Sequence, residues 1–168
     1  MRKLSILVAM FMVVGCGKKE EPAKKPAKAT KTATKKAKPK APAAPKVVVD
    51  DGKTATVNLT GNDQMRFNVQ KVTVKAGRKV KVNLKHVGKL PITAMGHNFV
   101  LLKPGTDLAA FNAKAINAKA TGYIPASEAD KIIANTTLIG GGGSTSIEFD
   151  APAKGTYTFI CSYPGHYA

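Results

Sequence analysis

Two short segments of the chain carry side chains that can bind a transition metal. The first is MGHN at residues 95–98, and the second is CSYPGH at residues 161–166. One soft thiolate and two imidazoles form a trigonal donor set that suits copper, with weak ligands along the axis. A tight turn after a strand would let Cys161 and His166 face the same ion. We therefore predict that copper is bound by these two residues together with His97.

Other roles for these side chains fit the pattern less well. A single cysteine is often a buried apolar residue, but an unpaired thiol near a histidine is poorly explained that way in an oxidising compartment. Zinc can use the same donors, although closed structural zinc sites usually have a fourth strong ligand. His86 falls within a strand pattern, which favours a structural or proton-titrating role. We expect no enzymatic activity, because no acid–base pair accompanies the single copper site.

An all-β domain over residues 47–168 must position these side chains. Short strands separated by glycine and proline are typical of a sandwich or Greek-key barrel. Residues 104–135 are instead rich in alanine and asparagine, with apolar residues at helical spacing, so we predict a helical flap inserted between strands. The glycine run 140–143 predicts a flexible turn, and it lacks the Lys-Ser/Thr of a phosphate-binding loop. Alternation predicts strands at 54–59, 69–75 and 80–85, and further strands are predicted at 98–102, which is a short apolar run, and at 144–149 and 156–161.

The motifs between residues 54 and 168 resemble those of the azurins, which are blue-copper proteins of the cupredoxin class. The order and approximate spacing of the motifs also resemble the azurin pattern. The resemblance implies a cupredoxin-like Greek-key β-sandwich that cycles one copper ion between Cu(I) and Cu(II). The motifs are GNDQMRFN at 61–68, VNLKHVGKLP at 82–91, MGHNFVL at 95–101, LIG at 138–140, FD at 149–150 and CSYPGH at 161–166.

This resemblance implies how individual residues contribute to the copper site. His97, Cys161 and His166 would be the strong ligands, and the carbonyl of Gly96 would be a weak axial contact. His86 would lie just inside the site without touching the metal.

The resemblance also implies hydrogen bonds and a docking patch around the site. The backbone amides of Asn98 and Tyr163 would donate hydrogen bonds to the Cys161 sulfur and so raise the reduction potential. An apolar patch would surround the exposed edge of His166 and receive redox partners such as cytochromes or reductases. The patch residues would be Met65, Leu90, Met95, Tyr163, Pro164 and Gly165.

The chain departs from the azurin pattern in three ways. Ala55 and Gly77 occupy the positions of the family's disulfide, so we expect a less stable metal-free domain. Phe99 replaces the buried tryptophan of many azurins. The axial methionine of the family would fall at position 170, so we expect a fragment of a longer gene product whose final strand is missing here. A site without that ligand would instead favour a non-redox copper-binding protein, such as a periplasmic buffer or chaperone.

Residues 1–16 resemble a lipoprotein signal peptide. Arg2 and Lys3 precede an apolar run over residues 4–14, which is too short for a bilayer span of about 20 apolar residues. The run ends at Cys16, in a sequence that resembles a lipobox. We expect export and a lipid anchor on Cys16, which would hold the protein on a bacterial membrane facing the periplasm or cell surface. An ordinary cleaved signal or a retained short anchor is the alternative.

The composition of residues 17–46 predicts a disordered linker rich in lysine, alanine and proline. They contain 11 lysines against two glutamates, a net charge of +9, while residues 47–168 contain 14 basic and 8 acidic residues, a net charge of +6. Such a composition cannot form a core, so the segment would act as a tether. Its charge would also attract anionic lipid, cell-wall polymer or an acidic redox partner. Export argues against a nucleic-acid partner.

Overall fold

The structure is a computed structural model that describes residues 46–167. The predicted signal peptide, Cys16 and the predicted linker apart from Lys46 lie outside the described residues. No helix among residues 46–167 combines the length and the apolar character that crossing a bilayer requires.

Residues 46–167 form seven strands, one α-helix and two 3₁₀ helices. The strands form two sheets, with the order β1-β2-β3-β6 in one and β5-β4-β7 in the other. The all-β sandwich with a helical insertion, predicted from the sequence, is therefore confirmed. In chain order the elements are β1 (Val48–Asp50), β2 (Thr54–Gly61), β3 (Lys79–His86), β4 (Val100–Leu102), α1 (Leu108–Ala115), 3₁₀ helices Lys119–Thr121 and Ala126–Lys131, β5 (Ile132–Asn135), β6 (Ser144–Asp150) and β7 (Phe159–Ile160).

The first sheet is built around two long parallel strands. β2 and β3 pair in parallel from Thr54 opposite Lys79 to Gly61 opposite His86, and β1 and β6 pair antiparallel on either side. Because side chains alternate across a strand, one face of β2 and β3 is buried and the other meets solvent. The main core cluster comprises Val57, Leu59, Val80, Val82, Leu84, Phe99, Leu101 and Ile139.

The helical insertion packs against the second sheet. Asp107 caps α1 by accepting a hydrogen bond from the Ala110 amide at 3.0 Å. Phe111 is fully buried in a second core cluster with residues of β4 and β7. The buried carboxylate of Glu128, on the second 3₁₀ helix, pairs with Lys114 of α1. The predicted flap over 104–135 is therefore helical in part, but its last four residues form β5.

Residues 69–75, predicted as a strand, are not one. Val72 and Val74 pack against the main core, so their alternating pattern does report burial. The segment nevertheless pairs with no strand among the described residues, and alternation cannot reveal whether a backbone partner is present. The predicted strand 156–161 is likewise shorter, because only Phe159–Ile160 pair with β4.

The glycine run 140–143 brings two loops into close contact at the end of the domain where β3 ends. A Cβ on Gly140 would lie 2.6 Å from the Ile92 nitrogen, and one on Gly141 would lie 2.6 Å from the Lys89 carbonyl carbon. The Gly141 amide donates a hydrogen bond to the Leu90 carbonyl at 2.9 Å. These glycines therefore serve close backbone packing as well as the predicted turn.

Candidate metal centre

The three predicted metal-binding side chains converge at this end of the domain. β4 and β7 pair antiparallel with Val100 opposite Ile160. Consequently the residues just before β4, including His97, lie beside Cys161, which directly follows β7. His166 then returns across the next turn. The donor atoms of His97, Cys161 and His166 all lie within 4.8 Å of one another.

His97 is held with one ring nitrogen available for a metal. Its backbone exchanges two hydrogen bonds with Ile139, each 2.9 Å long, and its Nε2–H donates to the Asn62 carbonyl at 2.8 Å. Its Nδ1 is buried and has no hydrogen-bond partner among residues 46–167. An unpaired buried polar atom costs about 1–3 kcal/mol, so the position of this lone pair fits a metal ligand. Burial lowers the pKa of His97, which keeps the ring neutral.

Cys161 and His166 face each other across the turn. The Cys161 Sγ lies 3.4 Å from the His166 Nδ1. The turn is closed by a 3.1 Å hydrogen bond from the His166 amide to the Tyr163 carbonyl, and Gly165 takes a φ of 83°. Burial, and to a lesser extent repulsion from His97 and His86, lowers the pKa of His166 to about 4. Both candidate imidazole ligands are therefore neutral at neutral pH.

The Cys161 sulfur lies in an environment that opposes its ionisation when no metal is bound. Burial raises the pKa of this thiol to about 11, against the opposing effect of hydrogen bonds from the Asn98 and Tyr163 amides. These are the two amides that the family resemblance implied. Because a metal binds the thiolate, binding must release the thiol proton. The same two amides can then stabilise the negative charge on sulfur.

The backbone carbonyl of Gly96 also lies near the sulfur, where it would be available as a weak ligand. The Gly96 carbonyl oxygen lies 3.8 Å from the Cys161 Sγ. A Cβ at Gly96 would lie 2.7 Å from the Tyr163 ring, so only glycine permits this approach without a shift. A thiolate, two imidazoles and a distant carbonyl form a donor set that matches copper. Copper bound there supplies a one-electron Cu(I)/Cu(II) couple.

Buried side chains that sequence reasoning did not identify join the ligand-bearing loops. The Asn98 side chain donates to the Ser162 hydroxyl at 2.8 Å and to the Gly122 carbonyl at 3.0 Å, and it accepts from the Ser162 amide at 2.9 Å. The Ser162 hydroxyl donates to the Tyr123 carbonyl at 2.8 Å. Asn98 directly follows His97 in the sequence, and Ser162 directly follows Cys161. This adjacency was the sequence feature that could have pointed to them, but spacing alone does not reveal which polar side chains are buried.

His86 lies beside the site, and neither of its ring nitrogens is available to a metal. Its Nε2–H donates to the Met95 carbonyl at 2.9 Å, and its Nδ1 accepts from the Gly88 amide at 3.0 Å. The ring is fully buried, with its centroid 4.8 Å from that of His97. His86 therefore lies next to His97 with both of its ring nitrogens in hydrogen bonds.

The predicted docking patch is partly exposed and partly buried. Met65 and Leu90 are exposed, with accessible fractions of 48% and 41%, while Pro164 is half-buried and Gly165 is exposed. Two further predicted members lie within the ligand-bearing segments and are buried, so they do not form part of the patch surface. These are Met95 and Tyr163.

Additional exposed apolar side chains occur in the same loops. They follow β3 or the second ligand motif, and their exposure distinguishes them from the core residues of similar type. They are Val87, Ile92 and Tyr167. Sequence reasoning did not include them in the patch, since alternation does not continue into these loops.

Known proteins resemble this chain over the same region. Residues 53–168 match the model of a family described as copper binding proteins, plastocyanin/azurin family. An azurin of Alcaligenes faecalis is 39% identical over 116 residues, covering 67% of this chain and 90% of the relative. An azurin of Bordetella pertussis is 42% identical over 116 residues, covering 66% and 76%. Outer membrane protein H.8 of Neisseria gonorrhoeae is 38% identical over 112 residues, covering 64% and 60%.

A solved structure extends the similarity to the fold. Reduced auracyanin from Roseiflexus castenholzii is 36% identical, with a TM-score of 0.60, covering 69% of this chain and 90% of that one. The similarity includes the region that holds His97, Cys161 and His166. Fold, donor set and sequence similarity together show that this chain belongs to the plastocyanin/azurin family of copper-binding proteins.

Proposed function

We propose that this protein transfers single electrons at a copper centre held by His97, Cys161 and His166, and that it catalyses no reaction of its own. The observation that supports this most strongly is the buried, unpaired Nδ1 of His97, which lies near the Cys161 thiol and a second neutral imidazole. A hydrogen-bonded core histidine would have no reason to leave that nitrogen without a partner.

The hydrogen bonds around the donors favour fast electron transfer. The Asn62 carbonyl orients the His97 ring, and the Asn98 side chain joins the loop before β4 to the loop after β7. Donors held in this way move little when the charge at the centre changes, so the reorganisation that accompanies electron transfer is small. His166 is half-buried at the surface, and its outer edge would be the route by which the electron enters and leaves.

The exposed apolar side chains around His166 would contact the redox partner. Met65 keeps a left-handed backbone conformation with a φ of 60°, which is unfavourable for a residue other than glycine. The amides of Gln64 and Arg66 both donate hydrogen bonds to the Asn62 side chain, at 2.9 and 3.3 Å, and these bonds hold the turn. The partners that we propose for this surface are other redox proteins, such as cytochromes or reductases.

Export and lipid anchoring through Cys16 complete the proposal. The short apolar run ending at that cysteine supports it, and one relative is named an outer membrane protein. The protein would face the periplasm or the cell surface, with residues 17–46 as a tether. Several acyl chains on one residue anchor stably, whereas a single chain is marginal.

Substitution of each cysteine in turn tests both parts of this proposal. The copper-loaded chain should absorb intensely at about 600 nm, the thiolate-to-copper transition expected of a His2Cys site. Cys161→Ser should abolish this band and remain in the membrane fraction. Cys16→Ser, the matched control, should keep the band and appear in the soluble exported fraction.

Two results would count against the proposal. A weakly coloured Cu(II) form of the unmodified chain would favour a copper buffer or chaperone over an electron carrier. Membrane retention of the Cys16→Ser variant would reject lipid anchoring at this residue while leaving the copper function intact.

A further inference from the structure

The surface around His166 carries apolar side chains on two loops that are physically connected. The Tyr163 hydroxyl, on the loop after β7, donates a 2.8 Å hydrogen bond to the Thr93 carbonyl, on the loop after β3. Leu90 and Ile92 on that second loop are each 41% exposed. On the other side, Met65 and Tyr167 line a cavity of about 480 Å³ together with His166. We call the four exposed apolar side chains, Leu90, Ile92, Met65 and Tyr167, the apolar face.

The charged side chains next to the apolar face are two cations and one carboxylate. The segments that form this face are residues 61–68, 86–96, 136–143 and 161–167, and their only carboxylate side chain is Asp63, while Arg66 and Lys89 are their only permanent cations. Asp63 accepts hydrogen bonds from the amides of Lys89 at 2.8 Å and Leu90 at 3.3 Å. These hydrogen bonds fix the loop, while the Asp63 side chain stays 33% exposed, so the two cations and one carboxylate leave these segments a net charge of +1.

Both cations lack a carboxylate partner among the described residues, as do several other exposed lysines of the domain. In contrast, Lys79 and Lys81 pair with Asp150 and Glu148 at 3.1 Å on the outer face of the first sheet. Arg66 and Lys89 are exposed and form no such pair within residues 46–167. Arg66 also lines the cavity that reaches His166 and Cys161. Positive charge without a carboxylate partner among residues 46–167 therefore lies beside the route that an electron would take.

We propose that the apolar face docks a redox protein whose own contact surface is apolar and ringed by carboxylates. This inference rests on the proposed electron-transfer function. Complementary charge accelerates encounter and fixes orientation more than it increases affinity, which suits a carrier that must bind briefly and leave. The apolar side chains then exclude water between the two redox centres once Arg66 and Lys89 have oriented the partner.

Two forms of cytochrome c provide matched probes. Native cytochrome c has a lysine-rich surface around its haem edge. Succinylation converts such lysines to carboxylates, and it is limited here to an extent that leaves the haem–methionine absorption band intact. Stopped-flow mixing of each form with the copper-loaded full chain gives bimolecular rate constants at several salt concentrations. The variants are Arg66→Glu/Lys89→Glu and, as control, Lys154→Glu.

The control alters an exposed cation at the other end of the domain. Lys154 follows β6, whose last residue lies opposite Lys79 at the end of β3 remote from His86. The linker, with its net charge of +9, is the same in every variant. Its effect on the rate constants is therefore the same in all of them and does not affect the comparison.

The unmodified chain should react faster with the succinylated probe, and salt should slow that reaction. The double variant should lose about tenfold or more of that rate, since steering contributes factors of about 10–10³, and it should react faster than the unmodified chain with the native probe. Lys154→Glu should change either rate less than twofold. The copper absorption band should be the same in all three proteins.

Equal effects of the double variant and of Lys154→Glu would overturn the docking proposal and leave electron transfer in place. If the unmodified, coloured chain exchanged no electrons with either probe, the proposed function itself would fail.

Discussion

Gly61 provides a test of how rigidly His97 is held. Gly61 is the last residue of β2, and its α-carbon lies against the His97 ring. A Cβ added there would lie 2.7 Å from Cγ, 2.8 Å from Cδ2 and 2.9 Å from Nδ1 of that ring. The substitution Gly61→Ala therefore acts directly on the candidate ligand atom without removing any polar group.

The structure sets the size of the effect. Restoring an ordinary contact of 3.4 Å requires the ring to retreat by about 0.7 Å. The hydrogen bond to Asn62 and the rings of His86 and His166, whose centroids are 4.8 and 4.7 Å away, oppose that movement. Overpacking costs about 1–3 kcal/mol, and replacing glycine returns about 0.4–1 kcal/mol through the unfolded chain. We expect a net loss of roughly 1–2 kcal/mol in the free energy of unfolding.

Guanidinium chloride unfolding of metal-free and copper-loaded protein separates the two consequences. The metal-free comparison gives the packing cost, and the additional stability of the copper-loaded form reports copper affinity. Because Nδ1 is among the displaced atoms, copper affinity should fall about tenfold for each 1.4 kcal/mol lost. Gly155→Ala is the matched control, since a Cβ there meets the Tyr157 side chain at 3.2 Å and no candidate ligand.

The outcome that refutes this reasoning is specific. If Gly61→Ala kept the copper stabilisation and the absorption band of the unmodified chain, the His97 ring could not be a ligand held in the described position. If the metal-free form were destabilised while copper affinity stayed the same, the added methyl group would have displaced the His97 ring without affecting copper binding. That result would also contradict the ligand role.

Three further predictions concern stability. The Cys161 pKa rises from 9.0 to about 11 on folding, so the contribution of this thiol to metal-free stability is complete below pH 9 and should be lost, by about 2–3 kcal/mol, as pH rises through this window; this loss should be missing from denaturant titrations of Cys161→Ser. The His166 pKa falls from 6.5 to about 4, so stability should decrease as pH falls between those values, by roughly 1–2 kcal/mol after allowance for solvent screening, and His166→Gln should remove that loss. Phe111→Ala should reduce the free energy of unfolding by about 3–5 kcal/mol, whereas truncation of the exposed Ile116 to alanine should change it by less than about 0.5 kcal/mol; equal effects would contradict the packing of α1.

The strand pattern was a reliable guide where burial and pairing coincide. Alternation located β2, β3 and β6 to within two residues at either end, because one face of each strand packs on the core. It was misleading at residues 69–75, where Val72 and Val74 are packed on the core without a strand ladder. The sequence did not predict β5, because its four residues directly follow a helical stretch and form a strand only by pairing with β4.

The site shows the same division between local and long-range information. Donor type and spacing identified His97, Cys161 and His166 without a structure. The burial of Met95 and Tyr163 was not predictable, because apolar side chains in loops have no periodicity that separates surface from interior. Nor could the sequence reveal that Asn98 and Ser162 join the two ligand-bearing loops.

The sequence by itself determined the chemistry available to this protein: one soft thiol, two imidazoles at fixed positions and alternating apolar residues that must be buried as sheets. Tertiary structure decided how that chemistry is used. The pairing of β4 with β7 brings residues 64 positions apart within reach of one ion, and the Asn62 carbonyl selects which nitrogen of His97 remains free. Residue types are local properties of the chain, whereas a shared site and the choice of ring nitrogen depend on which distant backbone groups folding brings together.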